Sequence, residues 1–350
     1  MSVFESAAFE GHEGVHAFFD AASGLKCFIA IHSTARGPAA GGCRMWAYDS
    51  EQAALDDAMR LSRAMSYKNA VADIPFGGGK AVIMGEAAAK SAALFEAFGR
   101  AVESLGGQYW AAEDVGLTPA DLAHARTASR FIAGLDAGPA ASGDPSPVTA
   151  EGIRRGIALC VRRALGRDLA EVTIAIQGVG HVGASLADKL TADGAVLTVS
   201  DVNPAAAEAV AARTGAKVVA PEAIFDVDAQ VFAPCALGGA VTAQTLNRLK
   251  ATIIAGGANN QLAGPDVGAA VYERGVLYAP DFVINGGGII NIAAEVRALD
   301  RGEAYDPAWV EAKVARMIET LDEVLARSQA ERRPADDIAI EIAKARIAAA

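Results

Sequence analysis

The sequence predicts an α/β protein of two domains, the second an open and mostly parallel sheet with helices on both faces. Three observations predict this. The chain has 350 residues, too many for one ordinary core. From Val172 onward apolar strands and helical stretches alternate, the pattern of successive βαβ units. Gly138 to Pro147 (GPAASGDPSP) is rich in Gly, Pro, Ser and Ala and forms a candidate linker, and the half before it mixes strands with helices as well.

Composition narrows the function. Hydrophobic residues make up 52% of the chain, enough for two cores, while aromatics are few at 6%. The net charge of −11 argues against nucleic acid or an anionic membrane as a partner, so a basic site for an anionic substrate has to be local. Cys27, Cys43, Cys160 and Cys235 are widely spaced, with no CxxC pair and no Cys/His cluster. No disulfide framework or metal site is expected. Met1 to Glu10 carries Glu5 and Glu10 without a basic n-region, and no apolar run reaches membrane-spanning length. These features are read as a cytoplasmic protein.

The elements follow in order. Leu25 to Ile31 is an apolar strand, followed by a break at Gly37-Pro38 and the paired glycines Gly41-Gly42. Glu51 to Met65 reads as a helix with Leu55, Ala58, Ser62 and Met65 on one face, capped by Asp49 or Ser50. After Gly77-Gly78-Gly79 comes a strand, Ala81 to Met84, then a helix over Lys90–Leu105 and a short strand, Tyr109–Ala112. A helix over Thr149–Leu165 opens the second half. Strands are expected at 172–177, 196–200, 218–219, 231–233, 252–255 and 276–279, with helices at 181–193 and 204–214. After Ile289 the chain reads as helical, with charged residues interleaved from Glu295.

The strand ending at Gln177 runs into Gly178-Val179-Gly180-His181-Val182-Gly183, a G-x-G-x-x-G between strand and helix. Gly178 would make the tight turn, Gly180 would let backbone approach a pyrophosphate, and Gly183 would let helix and strand pack closely. The next strand ends in Asp201, placed for ribose hydroxyls and repulsive to a 2′-phosphate. This is the Rossmann dinucleotide fingerprint, and it favours NAD over NADP as cofactor. Glycines are common here, so position between strand, helix and acid carries the reading.

A second constellation lies in the first half: Lys68 in Met65–Asn69, Lys80 closing the glycine run, and Asp114 after a short strand. Oxidation of an amino acid requires a cation for the α-carboxylate, a general acid/base, and a positive group for the developing oxygen charge. Two lysines and a carboxylate supply these. Two neighbouring ammonium groups, partly desolvated, would also depress each other's pKa. A single lysine is ordinarily a solvated charge. A phosphate loop is excluded, because the G-x-x-x-x-G-K-[ST] spacing is absent and Ala81 follows Lys80.

These residues, with GPAAGGCRMW (37–46), MSYKN (65–69), GGGKAV (77–82), AEDVG (112–116), GDPSPVT (143–149), QGVGHVG (177–183), APCALGG (233–239), AGGANNQL (255–262) and YAPDFVINGGGIIN (278–291), resemble the Glu/Leu/Phe/Val dehydrogenase family, and its leucine dehydrogenases most. The resemblance implies a first domain that binds substrate, a Rossmann domain that binds NAD, and a cleft between them that closes in turnover. It implies domains at 1–140 and 141–325, the first completed by C-terminal helices at 326–350. Lys68 would hold the substrate carboxylate with help from Gly41 and Gly42. Lys80 would promote water addition and polarise oxygen, and Asp114 would be the acid/base. Ala40, Ala112, Ile289 and Ile292 would line the side-chain pocket. Asn260 would lie near the substrate amino group. Asn259, Asn285 and Ala236 would join the cofactor site with Val179, His181 and Val182.

The implied pocket is apolar, so an unpaired glutamate side chain would be costly there. The expected reaction is oxidative deamination of leucine, and of valine or isoleucine, to the 2-oxo acid and ammonia. Phenylalanine is the alternative, because Ala40 replaces a bulkier residue and one methylene discriminates by only about 1–3 kcal/mol. A catalytically silent NAD-binding regulator is the alternative of another class. Asp144 stands where many relatives carry Asn, and Gly257 and Gly286 replace small residues. His181 and His124 read as structural or exposed, and Cys43 and Cys235 as packing residues. Relatives range from dimers to octamers, so a homo-oligomer is expected, with a small amino acid as its other partner.

Overall fold

The computed structural model describes residues 3–350, the side chain of Pro265 excepted. The chain divides into two compact units: residues 1–144, 289–311 and 343–350 form the first, and 145–288 with 312–342 the second. The first boundary falls inside the Gly/Pro-rich segment. The expected return of 326–350 as a block needs correction, since 289–311 and 343–350 rejoin the first unit and 326–342 stay with the second.

In the first unit, strands β1 (Gly14–Asp20), β2 (Leu25–Ser33) and β3 (Ala39–Trp46) precede helix α1 (Glu51–Val71). Strand β4 (Gly77–Met84), helix α2 (Ala92–Ser104), strand β5 (Tyr109–Glu113) and helix α3 (Pro119–Arg126) follow. The sheet order is β1-β2-β4-β3-β5, with β1, β2 and β4 antiparallel and β3 parallel to both β4 and β5. Ser50 caps α1 by accepting from the Ala53 N–H.

Three expectations change here. The paired glycines, given no element from sequence, lie within β3, and the triple glycine, expected ahead of a strand, opens β4. Helix α1 continues six residues past Met65, so Lys68 lies on the helix rather than after it. Packing overrides the weak strand propensity of glycine. A Cβ on Gly78 would collide with the backbone of Ser66, so α1 can lie this close to β4 only over glycine.

In the second unit, α4 (Ser146–Leu165) leads into β6 (Thr173–Gln177), α5 (His181–Ala192), β7 (Val196–Ser200), α6 (Pro204–Thr214) and β8 (Lys217–Val218). Then come β9 (Val231–Pro234), α7 (Ala243–Arg248), β10 (Ile253–Ile254), α8 (Pro265–Glu273), β11 (Leu277–Tyr278) and α9 (Asp281–Ile284). All six strands are parallel in the order β11-β10-β9-β6-β7-β8. Phe232, Ile254 and Tyr278 from the sheet and Leu246, Val267 and Val271 from α7 and α8 share one core cluster. The order reverses beside β6, which makes the carboxyl ends of β6 and β9 the switch point where ligands bind in such sheets.

The chain ends in α10 (Gly287–Arg301), α11 (Pro307–Glu331) and α12 (Ala335–Ala348). Glu295, the first of the interleaved charges on α10, is fully buried. Its carboxylate accepts from the backbone N–H groups of Gly134 at 2.7 Å, Leu135 at 3.0 Å and Ser142 at 3.0 Å. A buried carboxylate is tolerated when backbone donors solvate it, and here it fixes the loop before the unit boundary.

Candidate active site

Register in the first sheet assembles the site. Cys43 of β3 pairs with Ala81 of β4 and with Glu113 of β5. Side chains alternate along a strand, so the neighbours Lys80, Arg44 and Ala112 project from the opposite face, and Asp114 follows directly after β5. A Cβ on Gly42 would stand 2.7 Å from the Asp114 Cβ, so the glycine leaves room for the acid. The pairing of β3 with β4 skips Gly41-Gly42 opposite Gly79-Lys80. The buried Tyr109 phenol occupies this gap. It donates to the Gly41 carbonyl at 2.9 Å and accepts from the Ala81 N–H at 3.1 Å.

Lys80 is buried, and its Nζ lies 2.7 Å from Oδ2 of Asp114. Arg44 Nε donates to the same oxygen at 3.2 Å. Burial alone would push the Asp114 carboxyl up, but Lys80 and then Arg44 outweigh it and hold it below the ordinary carboxylate value. Arg44 also donates through Nη1 to Asp57 of α1 at 3.0 Å. Reading the sequence alone missed Arg44, Asp57 and Tyr109. A lone arginine carries no signal of its own, and only strand register brings it to Asp114.

Lys68 is half-buried on α1, one turn beyond Met65, which lies against Gly41. Its neighbour Asn69 fixes this turn by donating to the carbonyls of Gly77 at 2.6 Å and Ala40 at 3.3 Å. Ala40 is buried in β3 and Ala112 in β5. Ile289 and Ile292 are half-buried on α10, three residues apart and so on one face. All four belong to the first unit with Lys68, Lys80 and Asp114. Burial pushes the Cys43 thiol well up, and pushes Cys235 up to about 11, as packing cysteines require.

The second unit holds the glycine loop at its switch point. Gly178 has φ +89°, a conformation suited to glycine. A Cβ on Gly183 would strike the Gly178 carbonyl, whereas one on Gly180 would meet open space. Turn, close packing and an open approach to helix α5 are thus divided among the three glycines as a dinucleotide requires. His181 is exposed as the first residue of α5, and Val182 follows it. Asp201 accepts the Val179 N–H through Oδ2 at 2.8 Å, so the acid also shapes the loop. Ala236 lies against Gly178, and a Cβ on that glycine would stand 2.7 Å from its Cβ. Asn259 and Asn260 are exposed, Asn260 with φ +51°. Asn285 is buried and donates to the Asn259 side chain at 2.8 Å, while its own Oδ1 has no partner. A buried acceptor left without a partner, on a side chain tied to Gly257 and Asn259, fits a polar ligand.

Residues 14–130 match the family described as Glu/Leu/Phe/Val dehydrogenase, dimerisation domain, and residues 205–350 match Glutamate/Leucine/Phenylalanine/Valine dehydrogenase. Leucine dehydrogenase of Geobacillus stearothermophilus is 42% identical over 349 residues, which cover 99% of this chain and 94% of that one. The chain belongs to the Glu/Leu/Phe/Val dehydrogenase family. It is an amino-acid dehydrogenase of the leucine, phenylalanine and tryptophan branch. A phenylalanine dehydrogenase of Bacillus thermotolerans is 41% identical over 317 residues, covering 89% of this dehydrogenase and 81% of that protein. The crystal structure of L-tryptophan dehydrogenase from Nostoc punctiforme superposes with a TM-score of 0.83 at 37% identity, over 96% of each chain. The two-domain α/β architecture expected for this dehydrogenase is therefore shown. No helix among its described residues is long and apolar enough to cross a membrane.

Proposed function

We propose that this dehydrogenase oxidatively deaminates an apolar L-amino acid, leucine first, with NAD as the oxidant. The observation that carries the proposal is the buried Lys80–Asp114 pair at 2.7 Å. In balance, the amino acid, NAD and water become the 2-oxo acid, ammonium, NADH and a proton. NAD, when bound, supplies the acceptor for the hydride of the α-carbon. The remaining work falls to the chain. Lys68 holds the substrate carboxylate, assisted by the backbone of Gly41 and Gly42. Lys80 stabilises the oxygen of the water that adds to the oxidised carbon, and Asp114 exchanges protons with that water and the leaving amine. Asn260 is assigned to the substrate amino group.

Ala40, Ala112, Ile289 and Ile292 form the pocket. None carries a charge to meet a distal carboxylate, which disfavours glutamate. Gly178, Val179, Gly180, His181, Val182 and Gly183 hold the pyrophosphate, with Ala236, Asn259 and Asn285 beside the rest of the nucleotide. Asp201 favours NAD, since an acid at the ribose repels a 2′-phosphate. The matched dimerisation domain supports a homo-oligomer, and a cytoplasmic site of action accords with the thiols.

The test is a panel of amino acids with purified protein, read by absorbance of the reduced nicotinamide. Leucine gives the largest rate, valine, isoleucine and phenylalanine lower ones, and glutamate almost none, with NAD preferred to NADP. Phenylalanine or tryptophan ahead of leucine would move the substrate to the aromatic side of the branch. Silence across the panel at alkaline pH would favour a nucleotide-binding regulator.

A further inference from the structure

Lys80 and Arg44 aim at one oxygen of Asp114, from 2.7 Å and 3.2 Å. The proposed chemistry, on which this inference rests, asks Lys80 to serve a substrate oxygen as well. An ammonium on a flexible stem can turn, and when it does its bond to Asp114 weakens. The guanidinium cannot follow, because it is gripped from both sides. Its Nε meets Asp114 while its Nη1 meets Asp57 at 3.0 Å. Asp57 is in turn fixed by the Tyr48 hydroxyl at 2.7 Å and by Arg60 Nη2 at 2.6 Å. A planar fork held at two edges has one orientation, which a lysine cannot reproduce.

We propose that Arg44 is a positioning residue of this dehydrogenase. Braced by Asp57 and Tyr48, it keeps the Asp114 carboxylate aimed at the reacting carbon while Lys80 turns to the substrate. Of Arg44 and Asp114, only Asp114 touches the reacting groups, and Arg44 acts through it. The electrostatics agree. Arg44 and Lys80 both draw the Asp114 carboxyl down against its burial, and hydrogen bonds from Tyr48 and Arg60 do the same for Asp57. Without Arg44, Asp114 keeps only Lys80 as a cation and Asp57 only Tyr48 and Arg60, and nothing ties the two carboxylates together.

The experiment compares wild type, Arg44→Met and Arg44→Lys in two ways. Carbon-13 NMR of the aspartate carboxyls, with Asp114→Asn to assign the signal, follows Asp114 without substrate. In R44M its titration moves up by about one pH unit or more, the usual effect of losing an adjacent cation, and in R44K it stays near wild type. Under turnover, the acid limb of the R44M profile moves in the same direction. R44K keeps the wild-type limb but loses about tenfold in kcat with KM little changed, as loss of orientation predicts. An unmoved Asp114 titration in R44M overturns the proposal whether or not the protein oxidises leucine. Should R44M not fold, R44K decides, and full kcat in that variant overturns it.

Discussion

Lys80→Ala lowers turnover of an apolar amino acid by roughly three orders of magnitude or more, while NADH affinity stays within about twofold of wild type. Two separate functions leave together. The developing oxygen charge loses its ammonium, and Asp114 loses the nearer of its two cations. A buried site offers no water to replace them at equal effect. The residues proposed for the cofactor lie in the second unit, so nucleotide binding is the control for folding. Stopped-flow reduction of NAD with fluorescence titration of NADH checks both halves. Undiminished turnover in this variant would remove Lys80 from the mechanism.

The second large effect concerns stability. Asp336, in the first turn of α12, has its carboxyl pushed up to about 7 by burial, and also by Asp281 and Asp337. An aspartate in the unfolded chain ionises near its ordinary value of 3.8. The folded chain therefore holds a proton that the unfolded chain releases, and stability is lost as pH rises between these values. Above pH 7 the accumulated cost is about 4 kcal/mol, and at pH 5 it is only about 1–2 kcal/mol. Asp336→Asn removes the ionisation. The variant gains most of this stability over wild type in alkaline buffer and progressively less as pH falls. Urea unfolding of both proteins at several pH values reads the difference directly. A difference independent of pH would show that Asp336 ionises freely in the folded chain.

What could be read from the sequence varied with the kind of interaction. The glycine loop was legible because its neighbours in the chain carry the signal. A strand, spaced glycines, a helix and a terminal acid lie within one βαβ unit, and the fold places them there. Strand β7 and helix α6 were legible to the residue for the same reason. The glycines of β3 and β4 were not, because local propensity argues against a strand and only the close approach of α1 explains them. From sequence, helix α1 reads as far as Met65, because Ser66-Tyr67-Lys68-Asn69 breaks the apolar pattern. Those polar groups are used from within the helix instead: Ser66 contacts His32 and Asn69 contacts β3 and β4. The burial of Glu295 carries no local signal, since the backbone donors that solvate it lie more than 150 residues earlier. Arg44 and Tyr109 were invisible for a related reason, their partners being set by strand register.

The central claim is that Lys80 and Asp114 act on an amino acid whose α-hydrogen passes to NAD. Leucine deuterated at the α-carbon tests it most directly, with the products analysed by mass spectrometry and NMR. The account predicts equal amounts of 2-oxo acid, ammonia and reduced nucleotide, with the deuterium on the nicotinamide ring. Reduced nucleotide without deuterium, or nucleotide bound but never reduced, would contradict it.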